Sequence, residues 1–148
     1  MIRKDMSLKE VQKFIHDCNC TACEHGCKYG SGILIGEDKE KLAKFLGIKK
    51  EDLEKKYLEK TEQFGRIFLR PKIKRNGKPY GKCVFFRENK GCKIHDVKPL
   101  QCRLAMGCKD YGEDLMLWFM ENYLVDKKSA LSKEQYKIYL KSGGKKLK

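Results

Sequence analysis

Eight cysteines in 148 residues fall into two separated groups, and any fold for this chain has to account for both. The first group lies in CNCTACEHGC, residues 18–27, and holds Cys18, Cys20, Cys23 and Cys27. The second is spread downstream as Cys83, Cys92, Cys102 and Cys108. C-x2-C at Cys20 and Cys23 lets two thiolates reach one soft metal ion from a single turn. If the stretch were helical, Cys20, Cys23 and Cys27 would fall at i, i+3 and i+7 on one face. Gly26 and the glycines after it favour a bent backbone instead, and either arrangement converges the thiols. Disulfides and free buried cysteines are the competing explanations. Cys18 and Cys20 are poorly placed to bond each other, and eight unrelated buried thiols would not require clustering. Metal or cluster ligation is therefore the expectation.

The chain is long enough to bury a core without covalent staples. Its cysteine fraction, roughly 5%, is below that of a short secreted disulfide scaffold. The start, MIRKDMSLKEVQKF, lacks the apolar core of a signal peptide, and no stretch has the length needed to span a bilayer, so the expected setting is the cytoplasm, with no membrane. Thiols are kept reduced there, which favours metal or redox chemistry over permanent bridges. The abundance of Lys and Glu with few Asn and Gln resembles hyperthermophile composition, in which intracellular disulfides do occur.

A formal charge of +14 favours an acidic partner, nucleic acid above all. The competing explanation is a solvated lysine-rich surface. Four thiolates around Zn²⁺ or a [4Fe–4S] core form a unit of net charge about −2, so two such sites would still leave the protein basic. No recognised nucleic-acid motif accompanies the charge, which ranks that partner second. No Ser-His-Asp order, phosphate loop, dinucleotide fingerprint or zinc-protease motif can be quoted, so the sequence does not decide whether the protein is an enzyme. It leaves the oligomeric state open as well.

Hydrophobic periodicity predicts a mainly helical α+β fold, one domain over 1–148 with a short β-hairpin. Ser7 and Glu10 are spaced as a capping box for a helix over 7–18, with Leu8, Val11, Ile15 and Cys18 on one face. A second helix follows Glu37, with Leu42, Phe45 and Leu46 inward and Gly47 as its stop. Residues 50–63 read as a third, burying Leu53, Tyr57 and Leu58. Between Phe64 and Phe86 the alternation predicts a hairpin reversing at Asn76-Gly77, kept short or at an edge by Pro71 and Pro79. A helix starting near Pro99 would carry Cys102. EDLMLWFMENYLVD reads as a central buried helix or one with a face given to another subunit, and Trp118, Phe119 and Tyr123 read as core residues rather than a base-stacking platform. Ser132 and Gln135 supply a capping box for a final helix, and residues 142–148 should fray.

CTACEHGC, the following GSGILIGEDKEKLAKFLG, and CVFFRENKGCKIHDVKPLQCR together resemble the YkgJ-like, CxxCxxCC cysteine-cluster family of zinc- or iron-chelating domains, over residues 18–106. Cys20, Cys23 and Cys27 match the family's C-x2-C-x2-C-C run, with Gly26 where the first of its paired cysteines belongs. Cys83, Cys92 and Cys102 match the second half, with Lys98-Pro99 for Arg-Pro, Arg103 retained, and His95 where tyrosine is common. Cys18 and Cys108 lie outside the motif and are candidates to replace the ligand lost at Gly26. The resemblance implies a thiolate site joining the two halves, with zinc and iron both open. An all-cysteine donor set beside glycine-rich backbone leans to an iron–sulfur cluster such as [4Fe–4S], with Zn²⁺ nearly as compatible. The radical-SAM spacing is absent.

His25, inside the first group, is a candidate contact to the ligands. His16 is expected in solvent and His95 packed. Arg103 is suited to a hydrogen bond to the site or to an anionic substrate. Some larger proteins sharing the cluster are flagellin lysine methylases, which implies a metal-dependent enzyme acting on protein or RNA as one alternative. A basic nucleic-acid-binding metal module is the other.

Overall fold

The computed structural model describes residues 1–15, 26–105 and 110–147. The fold is the expected mainly helical α+β arrangement with short antiparallel hairpins. The capping box forms as expected: the Ser7 N–H donates to Glu10 Oε2 at 2.7 Å, and the Glu10 N–H donates to Ser7 Oγ at 3.3 Å. The helix it starts runs over Leu8–Val11 and tightens into a 3₁₀ turn over Gln12–Phe14, and it ends short of the expected residue 18 because Ile15 is extended, with φ −82° and ψ 130°.

The helix Asp38–Leu46 ends at Gly47, whose φ of 69° suits a residue without a Cβ. Its buried stripe is Leu42 and Ala43, with Leu46 packed beside them. Phe45, expected inward, is 46% exposed. At about 100° per residue it falls roughly a quarter-turn off the centre of that stripe.

The expected helix over 50–63 is corrected. It stops after Lys50–Tyr57, and Leu58–Gln63 is strand β1, paired antiparallel with β2, Arg66–Pro71. The two-residue turn between them is Phe64-Gly65, with φ values of 50° and 70°, the twist that suits a tight hairpin. Cross-strand pairing, including Glu59 opposite Arg70, outweighs the helical propensity of the Glu- and Lys-rich stretch. Asn76-Gly77 does reverse the chain, but as the connection between the two-residue strands β3, Ile73–Lys74, and β4, Lys82–Cys83. A third pair joins β5, Phe86–Arg87, to β6, Gly91–Cys92. Three small hairpins thus stand where one was expected.

The apolar segment near the C-terminus is central. It forms the helix Gly112–Phe119 and continues as a π-helical turn over Met120–Leu124, burying Leu115, Trp118, Phe119, Met120 and Leu124. Trp118 Nε1 donates to the Met6 carbonyl at 3.0 Å, which ties the N-terminal segment to this helix. The last helix, Ala130–Lys141, is capped by Ser129 rather than Ser132. Ser132 is fully buried and accepts the Asp126 N–H at 2.9 Å. The end of the chain, expected to fray, returns to the core: Leu147 is 8% exposed and its N–H donates to Glu121 Oε1 at 3.3 Å. The Tyr139 hydroxyl, donating to the Lys145 carbonyl at 2.8 Å, and a Lys145–Glu113 ion pair add to the hold of this apolar residue on the tail.

Two apolar clusters result. Val11, Leu100, Leu104 and the Trp118 region form one, and Leu42, Leu53, Leu58, Phe85 and Ile94 form the other. Ile33 belongs to the first and its neighbour Leu34 to the second, as alternation along extended chain allows. The short segment around residues 31–35 is therefore the seam between the clusters.

Candidate metal centre

The seam is where Cys102 meets the segment 31–35. Ser31 Oγ donates to the Pro71 carbonyl at 2.5 Å and the Leu34 N–H donates to the Leu69 carbonyl at 2.8 Å, which fixes one edge of the segment on β2. On its other side the Ile33 N–H donates to Gln101 Oε1 at 2.6 Å. Asp38 is buried, and its Oδ2 accepts from the N–H groups of Ile35, at 3.0 Å, and Leu100, at 3.2 Å. One carboxylate thereby joins the start of the helix Asp38–Leu46 to the start of the helix Leu100–Ala105.

Cys102 lies on that second helix, whose Leu100 and Leu104 face the first cluster. Gly32 is pressed against it: a Cβ on Gly32 would lie 2.2 Å from Cys102 Sγ and 3.3 Å from the Cys102 nitrogen. Only glycine allows the backbone so close to the sulfur. Cys83 closes β4 and is 8% exposed, while Cys92, in β6, is partly buried. Cys27 sits in a helical turn over 26–29, also partly buried. The thiols of Cys83, Cys92 and Cys102 are free of disulfides.

The thiols act on one another electrostatically. Burial pushes the Cys83 thiol up to about 12, and the neighbouring Cys27 and Cys92 add to the shift. Burial raises Cys102 as well, reinforced by Cys83, Cys27 and Cys92, and it raises Cys92. Opposing this, backbone N–H groups are turned toward the sulfurs: Phe85 and Phe86 toward Cys83, Ile94 toward Cys92, and Gly32 toward Cys102. Donors of this kind favour a thiolate, and a cation among the sulfurs would reverse the effect of burial and mutual repulsion.

Thiol chemistry, convergence, backbone donors and the Gly32 cradle all fit a soft metal. Among the described residues, however, no three His, Cys, Asp or Glu side chains form a coordination group. Cys18, Cys20, Cys23 and Cys108, with His16 and His25, lie outside the described residues. Of the other candidates, His95 is half-buried in the 3₁₀ turn His95–Val97, and Arg103 is exposed with no ion pair among the described residues. A cavity of about 400 Å³ is lined by residues of the π-helical turn and its C-terminal side together with Arg66, and none of the described cysteines borders it.

Sequence reasoning found the four described cysteines and the importance of glycine near sulfur. It missed Asp38 and Gln101, which position the seam. Asp38 had the appearance of an ordinary first-turn acid, and nothing in one sequence tells such a carboxylate from one that accepts the N–H groups of two other segments.

These elements define a small α+β cysteine-cluster domain. The chain belongs to the CxxCxxCC family, described as "Putative zinc- or iron-chelating domain", whose match spans residues 19–136. That membership supports metal binding in general. No curated protein and no solved structure matches the chain.

Proposed function

We propose that the protein binds an iron–sulfur cluster, in preference to zinc, through Cys27, Cys83, Cys92 and Cys102 together with cysteines of the first motif, Cys20 and Cys23, and with Cys18 or Cys108 standing in for the ligand absent at Gly26. The observation that carries this reading is the close packing of the Gly32 backbone against Cys102 Sγ, with backbone N–H groups favouring the thiolates of Cys83, Cys92 and Cys102. Hydrogen bonds from backbone to sulfur stabilise ligated thiolates and tune the potential of a cluster. A bound cluster would supply one-electron chemistry and a cross-link between the two halves of the chain. The protein's own contribution is to hold the sulfurs at the seam, limit their contact with water and donate to them from backbone nitrogen. Folding is then linked to metal, because ligation spans residues far apart in sequence. A reducing cytoplasm suits free thiols of this kind, and no helix among the described residues is long and apolar enough to cross a membrane.

Anaerobic purification followed by iron, zinc and acid-labile sulfide analysis tests the proposal. Stoichiometric iron with sulfide, lost in Cys102→Ser and Cys83→Ser, is the expected result. Zinc without sulfide would overturn the cluster and keep the thiolate site. A protein with neither, folded and stable, would overturn both.

A further inference from the structure

From Arg66 to Arg87 the sequence carries eight basic residues and no acidic one. Folding neutralises part of that run. Arg70 and Arg75 share Glu59, Lys82 pairs with Glu88, and Lys72 donates to the Lys55 carbonyl. Arg66 donates to the Tyr123 and Leu124 carbonyls. Lys74 and Lys78 are exposed and form no ion pair among the described residues.

Beside these two lysines stand two exposed tyrosines. Tyr29 is 51% exposed and Tyr80 43%, with ring centroids 5.7 Å apart and planes inclined at 47°. The Gly81 N–H, reaching the Tyr29 carbonyl at 3.4 Å, ties the two backbones together. Lys78 Nζ lies 5.6 Å from the centroid of Tyr80, so cation and ring share one small surface. The exposed parts of these two rings offer π surface that a lysine-rich face does not need for solubility.

The combination selects among acidic partners. An acidic peptide would use the lysines and leave the rings idle. A duplex keeps its base faces stacked on one another, whereas a single strand offers both phosphates and open bases. We propose that this surface, next to Cys27 and Cys83 in the chain, binds single-stranded nucleic acid, with bases stacking on Tyr80 and Tyr29 and phosphates against Lys74 and Lys78. This goes beyond metal binding and does not depend on which metal is held.

The test is fluorescence anisotropy of labelled oligouridylate and oligothymidylate with the full-length, metal-loaded protein, with a duplex and polyglutamate as competitors. Single strands should bind more tightly than either competitor, and the two labels report whether RNA or DNA is preferred. Tyr80→Ala should weaken binding about 5- to 100-fold, the range expected for one base–aromatic stack, and Tyr80→Phe should retain it. The double variant Lys74→Ala/Lys78→Ala should reduce the slope of log K against log salt by about 1.4, from two lost phosphate contacts. No binding at low salt, equal displacement by polyglutamate, or an unchanged affinity in Tyr80→Ala would each overturn the proposal. The lysine variant gives an independent answer should Tyr80→Ala fail to fold.

Discussion

Substituting Gly32 by alanine should damage the cysteine site selectively, because the added methyl has nowhere to go. It would lie 2.2 Å from Cys102 Sγ, whereas carbon and sulfur in ordinary contact are separated by about 3.5–4 Å. Either the seam or the start of the helix Leu100–Ala105 has to move by more than an ångström. Neither moves cheaply: Gln101 and Asp38 hold the two together at 2.6 Å and 3.2 Å, and the Cys102 nitrogen, 3.3 Å from the added carbon, is also in the way. Overpacking of this kind costs about 1–3 kcal/mol. For a chain of this size that corresponds to a melting point lower by roughly 2–12 °C. Gly30→Ala is the control, since a Cβ there meets nothing within 4 Å. Thermal melts and metal content of the two variants, purified in parallel, decide the matter. Gly32→Ala should melt lower and lose metal, while Gly30→Ala should match the parent. Equal metal content and melting point in Gly32→Ala would refute the claim that glycine is needed to bring backbone to sulfur.

Acid should weaken the fold through Glu59. Hydrogen bonding from Arg75, helped by the Ile73 N–H and Arg70, lowers its carboxyl from 4.5 to about 2. The folded value is the depressed one, so the stability is present above the unfolded value and lost as pH falls toward 2. Since Arg75 is 41% exposed, the contribution is on the order of 1–2 kcal/mol after allowing for solvent screening. Urea titrations across that window should show a drop that Glu59→Gln largely removes, and an identical drop in the variant would count against this account. Asp38→Ala removes the acceptor shared by Ile35 and Leu100, leaving buried donors unpaired. It should cost about 1–3 kcal/mol by denaturant unfolding, with Asp38→Asn milder. Leu147→Ala should cost about 1–2 kcal/mol if the tail is docked, whereas a frayed tail predicts no change.

What the sequence disclosed depended on whether the cause was local. The Ser7–Glu10 capping box, the Gly47 stop and the helix after Pro99 are each decided within a few residues, and each is present. The apolar run around Trp118 is interior, the first of its two sequence readings. Apart from the final helix's cap, which is Ser129 rather than Ser132, the larger errors came where distant partners decide. Leu58–Gln63 has helical composition and becomes strand because Arg66–Pro71 folds back on it across a Phe64-Gly65 turn, and a non-glycine residue at positive φ is not a turn signal that composition supplies. Leu147 looks like part of a lysine tail until Glu121, on another helix, accepts its N–H.

The cysteines combine both situations. Their grouping was legible because thiols in two groups have few other uses, but the setting of Cys102 was not. It rests on a seam in which Ile33 and Leu34 face different apolar clusters and Gly32 meets Cys102. The residues that bear ligands and the residues that bring them together are different, and only the first kind announces itself by chemistry. The second kind, Gly32, Asp38 and Gln101, consists of ordinary residues whose placement is their whole contribution. A substitution among them should therefore disturb the site without removing a sulfur, which is why the Gly32 variant tests the geometry more sharply than a cysteine variant would.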